Sequence, residues 1–131
     1  MNKTCLITGV IFGVIAIMLG AFAAHGLENL ITKDAQDTFE TGVRYQMYHG
    51  LFLLLLGNLT MVSQKTKKRV CTLVIFGVLF FSVSIYALAT NSLWSFDFKV
   101  IGFVTPIGGL LLISAWLLLG FNLYKVKFNN S

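Results

Sequence analysis

The side chains that could carry chemistry gather around two histidines, His25 and His49, in an otherwise apolar chain. Imidazole is a frequent ligand of metals and haem, and its ring nitrogens also hydrogen-bond to polar head groups such as that of a quinone. One candidate cluster collects the polar residues near them: His25, Glu28, Arg44, Tyr45, Gln46, Tyr48 and His49. A binding site for a metal, a haem or a quinone is therefore one hypothesis for this cluster.

The same cluster has two other interpretations. Buried polar groups usually satisfy one another, so it could be a structural network between helices, and proton or redox chemistry is a third reading. Two histidines without a cysteine or carboxylate beside them are a thin set of metal ligands, and no serine or cysteine motif indicates a nucleophile. We therefore assign no metal ligand and no catalytic residue, and the cofactor stays open.

The composition indicates where such a cluster would lie. Of 131 residues, 56% are hydrophobic and 11% are charged, whereas a soluble domain carries about 25% charged residues. A water-soluble fold of this size has no means of hiding that much apolar surface. The composition thus excludes an ordinary soluble domain and a disordered chain, and it favours a membrane protein.

Four charge-free stretches are long enough to cross a bilayer, which takes roughly 20 helical residues. They cover residues 4–27, 45–64, 70–96 and 100–124. The alternating polarity of a membrane barrel is not seen. We predict an all-α, polytopic membrane protein, a four-transmembrane-helix bundle. It forms one domain over residues 1–131, with spans at about 5–25, 44–63, 70–91 and 103–124.

The basic residues predict the orientation. With four spans, seven Lys and Arg residues share the side of both termini, and three lie on the other side with all five acidic residues. The positive-inside rule then makes both termini cytoplasmic and places the chain in the cytoplasmic (inner) membrane. The basic cluster at 65–69 could contact anionic lipids. No nucleic-acid partner is expected, since no groove-reading motif accompanies the charge.

Small residues in the first span predict a packing face. They recur at helical spacing as Gly9, Gly13, Ala16, Gly20 and Ala24. Lipid-embedded helices associate by close packing, so this stripe should contact another helix. The contact could be internal or between subunits. The expected partners are membrane lipids, with a homo-oligomer or a larger membrane complex as further possibilities.

Local signals predict the helix ends. The first helix should end near His25 with Gly26 in a left-handed conformation, and Thr32 or Asp34 should cap a helix that continues into the second span. This arrangement would bring His25 and His49 to similar depth. Thr105 should cap the fourth span with Pro106 at its first helical position, unless one long helix is kinked there.

Cysteines and hydroxyls complete the list of polar side chains within the spans. Cys5 and Cys71 lie near the cytoplasmic ends of the first and third spans, where a reducing compartment keeps thiols free. The third span contains four hydroxyl groups that can bond across helices or back to a carbonyl: Ser82, Ser84, Tyr86 and Thr90.

Two stretches carry a family resemblance. Residues 20–27, GAFAAHGL, and residues 39–51, FETGVRYQMYHGL, are similar to signature stretches of the YgdD/YwdK family, and TPIGG at 105–109 fits the same family. This domain-of-unknown-function family 423 comprises small bacterial membrane proteins and is related to the eukaryotic transmembrane protein 256. The resemblance implies four helices in the cytoplasmic membrane and supplies no activity or cofactor.

These observations predict a small integral membrane protein of unknown activity. A structural, lipid-interacting or accessory role is expected, rather than an enzyme. The alternative is a binder of a small ligand or cofactor at the His/Tyr cluster. A transporter is the weaker alternative, since proton-coupled exporters of similar size use a membrane carboxylate and the middle of these spans has none.

Overall fold

The computed structural model describes residues 2–127, and every regular element within them is helical. The elements are α1 (Lys3–His25), α2 (Lys33–Asn58), α3 (Gln64–Val78), a π-helical segment (Leu79–Val83), α4 (Ser84–Ala89) and α5 (Val104–Lys125). Two short 3₁₀ turns, Asn91–Leu93 and Phe98–Ile101, precede α5. The all-α prediction is confirmed over this range. Residue 1 and residues 128–131 of the predicted domain lie outside the described residues.

Three helical stretches are long and apolar enough to cross a membrane, judged by length and composition. They are Lys3–His25, Gln64–Ala89 and Phe98–Lys125. Helix α2 is not among them, because its first half is rich in charged and polar residues. Three candidate spans are thus observed where the sequence predicts four.

Polar side chains cap three of the helices at their first turns. Asn2, Thr32 and Ser63 accept backbone N–H groups three residues later, at 3.1, 3.1 and 3.2 Å respectively. Such caps satisfy amides that have no partner within the helix. Thr32, one of the two caps predicted from the sequence, therefore begins α2, which continues without a break to Asn58.

The end of α1 corrects one expectation. Gly26 has φ −81° and ψ −36°, which is right-handed, and no glycine in residues 2–127 has positive φ. The amides of Gly26 and Leu27 both donate to the carbonyl of Phe22, at 2.7 and 3.1 Å. The Leu27 bond reaches back five residues, so the last turn widens, and the helix ends without a left-handed residue.

The start of α5 corrects a second expectation. The helix begins at Val104 after Phe103, and no side chain caps it. Thr105 is already inside the first turn, and its hydroxyl lies 2.6 Å from that of Ser84. Pro106 also lies in that turn, where its missing N–H costs no helical hydrogen bond. Thr105 therefore ties α5 to α4 instead of capping its own helix.

Helices α1 and α2 form an antiparallel pair over their full length. The Asn2 amide donates to the Gly57 carbonyl at 3.0 Å, and the Gln36 amide nitrogen donates to the Ala23 carbonyl at 2.8 Å. Between these ends the two backbones nearly touch. A methyl group added at Gly9 would lie 2.7 Å from the Gly50 carbonyl oxygen. Small residues at this crossing permit the close approach.

The predicted small-residue stripe needs one correction. Gly9, Gly13, Ala16 and Gly20 face α2, but Ala24 is exposed, and Ala23 is fully buried in its place. A helix repeats every 3.6 residues, so steps of four and three must alternate to stay on one face. After the step of four from Ala16 to Gly20, a step of three reaches the contact face at Ala23, and a second step of four, to Ala24, leaves it. The stripe is thus an internal packing face.

The second half of the molecule packs α5 against α3 and the π-helical segment. Gly108 makes this possible, because a methyl group there would lie 2.3 Å from the Phe81 backbone nitrogen. Apolar side chains from both halves meet in one core cluster, which includes Leu53, Leu56, Val70, Val74 and Leu112. Helix α2 therefore lies between α1 and the α3–α5 half.

Candidate functional site

Helix α2 carries polar residues on two different faces. The buried face contributes to a group that we call the seam, formed between α2, the α3–α4 stretch and α5: Gln46, His49, Ser82, Tyr86 and Trp116. The other, which we call the α2 polar face, lies mainly on the outer side of the helix, with Tyr45 at its edge also contacting Phe81. It comprises Asp34, Asp37, Thr38, Thr41, Arg44, Tyr45 and Tyr48. The two faces differ in what satisfies their polar atoms.

Gln46 connects three helices within the seam. Its amide nitrogen donates to the Phe12 carbonyl of α1 at 3.0 Å, and its amide oxygen accepts from the Tyr86 hydroxyl of α4 at 2.8 Å. The side chain is 4% exposed. Buried amides require such partners, since an unsatisfied polar group in an apolar interior costs about 1–3 kcal/mol.

His49 connects α2 to α5. Its Nδ1 lies 2.7 Å from the Tyr45 carbonyl, and the Trp116 indole N–H donates to its Nε2 at 3.1 Å. A carbonyl only accepts and an indole only donates, so the bonding assigns a neutral imidazole with the proton on Nδ1. Both ring nitrogens are thus in use. Ligation of a metal or haem iron would require the Trp116 bond to break.

Ser82 joins the π-helical segment to α2. Its hydroxyl is fully buried and donates to the Gly42 carbonyl at 2.8 Å. A π-helical turn widens the helix and disturbs its regular hydrogen bonds, and such turns are frequent at functional sites. Here the widened turn brings Phe81 against the Tyr45 ring, with centroids 5.0 Å apart.

A cleft of about 350 Å³ opens beside the seam. Its lining combines Tyr45 and His49 of α2, Phe81 of the π-helical segment, and Leu112 and Trp116 of α5. The walls are aromatic and aliphatic, and the Tyr45 hydroxyl makes no hydrogen bond within residues 2–127. A flat ring with a hydrogen-bond acceptor matches this chemistry.

The two histidines do not meet. Gln36 lies opposite Ala23 and Gln46 lies opposite Phe12, so His49 is level with the first half of α1, whereas His25 ends that helix. At 1.5 Å per residue they are about 20 Å apart along the bundle. His25 is exposed and His49 is 4% exposed. The antiparallel pairing therefore separates residues that were expected at similar depth.

The rest of the predicted cluster also divides between environments. Glu28, Arg44, Tyr45 and Tyr48 are exposed, and only Gln46 joins His49 in the seam. In the part of the chain that the structure describes, no three His, Cys, Asp or Glu side chains are close enough to hold a metal ion. The cluster is thus two sites rather than one.

Arg44 has an unusual position on the α2 polar face. It is two residues before Gln46, which bonds to Phe12, so it is level with the middle of α1. The exposed residues of α1 at that level, such as Val14 and Ile17, are apolar. Its guanidinium donates to the Thr41 hydroxyl at 3.0 Å. The one ion pair among residues 2–127 joins Lys33 and Asp37 instead. Arg44 therefore has no carboxylate partner within the described chain.

Sequence reasoning missed Trp116 as a member of the site, and it placed the Tyr86 hydroxyl between helices without identifying Gln46 as its partner. Both lie in apolar spans far from His49 and Gln46 in sequence, so only the packing of helices brings them together. Both residues could have been suspected from the sequence, because a polar atom in an otherwise apolar span must find a partner inside the protein.

A chain of apolar helices whose interior polar groups bond one another is a helical membrane protein. Comparison with known proteins identifies the family within the helical membrane proteins. Residues 19–109 match the family model described as a protein of unknown function, DUF423. The chain belongs to this family, as its signature stretches indicated.

The chain is similar to several bacterial proteins over nearly its whole length. It is 39% identical to the UPF0382 membrane protein SSP2132 of Staphylococcus saprophyticus, covering 95% of this chain and 99% of that protein. It is 35% identical to the UPF0382 membrane protein YwdK of Bacillus subtilis, covering 89% of this chain and 93% of that protein. No solved structure matches.

Proposed function

We propose that this protein is a structural, accessory membrane protein that works by assembling with a second copy of itself through the α2 polar face. The observation that supports this is Arg44, an exposed guanidinium at the mid-depth of α1. A lone arginine facing lipid at that depth is costly, and such residues usually face protein or a water-filled cavity. A partner at this face would remove the cost.

The charge pattern favours a second copy as the partner. The α2 polar face carries acidic side chains at Asp34 and Asp37, and Glu40 lies one turn from Arg44. A two-fold axis parallel to α2 places the same residues opposite each other, and an arginine side chain is long enough to reach an acidic group one turn away. Arg44 of one copy can therefore pair with Glu40 of the other, which borders the α2 polar face.

We also propose that the chain crosses the membrane four times, with α2 as a crossing in addition to the three candidate spans. Helix α2 is hydrogen-bonded to α1 at both ends, through Gly57 and Gln36. A helix paired end to end with a span crosses the same thickness of membrane. The polar residues that lower its hydropathy are partly those of the seam, where protein surrounds them.

We also propose that both termini face the cytoplasm and that the cytoplasmic membrane is the location, following the asymmetry of Lys and Arg. Single cysteines at the exposed positions Ser95 and Lys65 test this. A membrane-impermeant maleimide should label Ser95→Cys in intact cells and Lys65→Cys only after permeabilisation. The reverse pattern would overturn the orientation or the crossing by α2, and labelling of both in intact cells would mean that the α3–α4 stretch between them does not cross.

Cross-linking tests the self-association. In a background with both native cysteines replaced by alanine, oxidation in native membranes should convert Thr41→Cys into a covalent dimer, since the axis brings the two copies of that residue together. Ile17→Cys, which is 65% exposed on α1, is the matched control and should stay monomeric. Equal cross-linking at both positions would indicate random collision and contradict the proposal.

Arg44→Leu separates assembly from folding. We expect it to weaken dimerisation about tenfold or more, because a charged hydrogen bond contributes about 1.5–3 kcal/mol. The monomer should unfold at an equal or higher temperature, since a lipid-facing charge is removed. Native mass spectrometry of gently extracted protein gives the oligomeric state. A wild-type monomer that retains no lipid or subunit would refute the proposed role, and a foreign subunit would replace the second copy.

A second candidate function, binding of a quinone-class ligand, is favoured by the cleft beside the seam. The Tyr45 hydroxyl can donate to a carbonyl, and the rings of Phe81 and Trp116 offer stacking surfaces. A short-chain benzoquinone should quench the Trp116 fluorescence in a Trp94→Phe background. Tyr45→Phe should weaken binding about three- to tenfold, and Tyr48→Phe should not. Equal quenching in both variants would exclude the site.

A further inference from the structure

The two cysteines of the chain are neighbours, although 65 residues separate them in sequence. Cys5 of α1 is fully buried and Cys71 of α3 is 4% exposed, and both belong to one core cluster. The Cys5 thiol also lies 4.0 Å from the Lys67 carbonyl oxygen. Neither cysteine forms a disulfide. Two soft sulfur ligands thus converge where α1 crosses α3.

A buried cation lies beside this thiol pair. The Lys67 side chain is 2% exposed, and its ammonium donates to the Gly57 carbonyl at 3.2 Å, near the end of α2. No carboxylate within residues 2–127 lies within ion-pair distance of it. The same Gly57 carbonyl accepts the Asn2 backbone amide, and the Asn2 side chain accepts the Cys5 amide, so the ammonium lies at the end of α1 that carries Cys5. A buried charge without a counter-charge is costly, so this position favours an anionic neighbour.

We propose that Cys5 and Cys71 together bind one monovalent soft metal ion, Cu(I), as a dithiolate. Two metal–sulfur bonds form and two S–H bonds break, and two protons leave to solvent. The metal keeps its oxidation state, so no oxidant or reductant is required. One Cu⁺ and two thiolates carry a net charge of −1, and Lys67 supplies the compensating +1.

The ligand set selects the metal class. Thiolates favour Cu(I), while structural zinc takes four ligands and iron–sulfur clusters are held by four cysteines. Within the described residues no group of three or more His, Cys, Asp or Glu exists to provide those sites. Two sulfur ligands suffice for a linear d¹⁰ ion. A cavity of about 310 Å³, lined in part by Asn2, Lys68 and Cys71, gives access from the end of the bundle.

Silver(I), a redox-inert substitute for Cu(I), is the first probe. The full chain, purified in mild detergent with reduced thiols, should retain one Ag⁺ in native mass spectrometry with the loss of two protons. The sequence contains two cysteines, so no third thiol contributes. Cys5→Ala and Cys71→Ala should each lose the ion. Cys5→Ser and Cys71→Ser should do the same, and size-exclusion profiles identify which variants remain folded.

Substitutions of Lys67 distinguish a role in metal binding from a purely structural role. In competition with a chromogenic Cu(I) chelator, Lys67→Met should weaken binding about tenfold to hundredfold, and Lys67→Arg should restore it. Thr72→Ala, which lines the same cavity, is the matched control and should bind like the wild type. A lysine that only caps α2 would change the melting temperature and leave the metal affinity unchanged.

Three outcomes would overturn the proposal. The folded wild type could retain no Ag⁺, or single-cysteine variants could hold it as tightly as the wild type, which would mean independent thiols. Equal affinity for Zn²⁺ would exclude the monovalent class. None of these outcomes depends on whether the α2 polar face assembles, so the two proposals fail separately.

Discussion

Both faces of α2 carry polar residues, but their surroundings differ. On the seam, Gln46 bonds to α1 and α4, and His49 bonds to Trp116 of α5 and to Tyr45 of its own helix. On the α2 polar face, Arg44 bonds only to Thr41 of its own helix. With α2 as a membrane crossing, as we propose, no water reaches either face, so polar atoms require partners within protein. The hydrogen bonds of the seam are satisfied within the fold, whereas Arg44 lacks a carboxylate partner, which is why we propose a second copy at the α2 polar face.

The largest expected effect comes from opening the seam through the backbone. Gly108→Ala places a methyl group 2.3 Å from the Phe81 nitrogen, so α5 must move away from the π-helical segment. We expect a loss of about 3 kcal/mol in the free energy of unfolding, measured in mixed detergent micelles. Gly120→Ala is the matched control, because nothing lies within 4 Å of its added carbon. Equal effects would show that α5 is loosely packed.

The second prediction compares the two histidines. His49→Ala leaves the Trp116 indole N–H without its acceptor and creates a cavity, so unfolding should become easier by about 2 kcal/mol. His25→Ala changes an exposed side chain and should stay within about 0.5 kcal/mol. Thermal unfolding of the two variants in detergent is sufficient. A similar loss in both would mean that the histidines form one network.

The third prediction compares a tyrosine on each face. Tyr86→Phe removes the hydroxyl that donates to Gln46 and keeps the ring against Phe39, 4.7 Å between centroids. Interhelical hydrogen bonds in membranes contribute about 0.6–1.7 kcal/mol, so we expect a loss near 1 kcal/mol. Tyr48→Phe, 51% exposed, should leave the monomer unchanged. If Tyr86→Phe has the same free energy of unfolding as the wild type, the hydrogen bond from Tyr86 to Gln46 does not stabilise the fold.

The smallest effect concerns a carboxylate outside both faces. The Lys99 backbone amide and then the Asn91 side chain donate to Asp97, and they lower the pKa of that exposed carboxyl below 3.8. A depressed pKa favours the folded loop above pH 3.8, and this contribution is lost as the pH falls through the lower value. An NMR titration of the Lys99 amide should show a midpoint below 3.8. Asn91→Ala should raise it, and an unshifted midpoint would contradict these bonds.

Much of the fold could be predicted from particular residues. Charge-free stretches marked helices α1, α3–α4 and α5, and Thr32 marked the start of α2. The spacing of Gly9, Gly13, Ala16 and Gly20 indicated the face toward α2. These features depend on length, periodicity and local capping, which are properties of neighbouring residues.

The site was less predictable because it depends on contacts between distant residues. His25 and His49 are close in sequence, and only the pairing of α1 with α2 shows that about 20 Å separates them. In the same way, Trp116 bonds to His49, and Cys71 shares a core cluster with Cys5, across more than sixty residues in each case. Ala24 and Thr105 were misplaced by a single helical step each, which tertiary contacts then decided.

Long apolar stretches and signature motifs, both properties of neighbouring residues, were enough to identify a helical membrane protein of this family. The packing of the helices was needed to tell which polar residues have hydrogen-bond partners. A hydrogen bond within an apolar interior depends on the distance and direction between helices. Sequence order fixes neither, so Arg44 and Lys67 became informative only once the helices were packed.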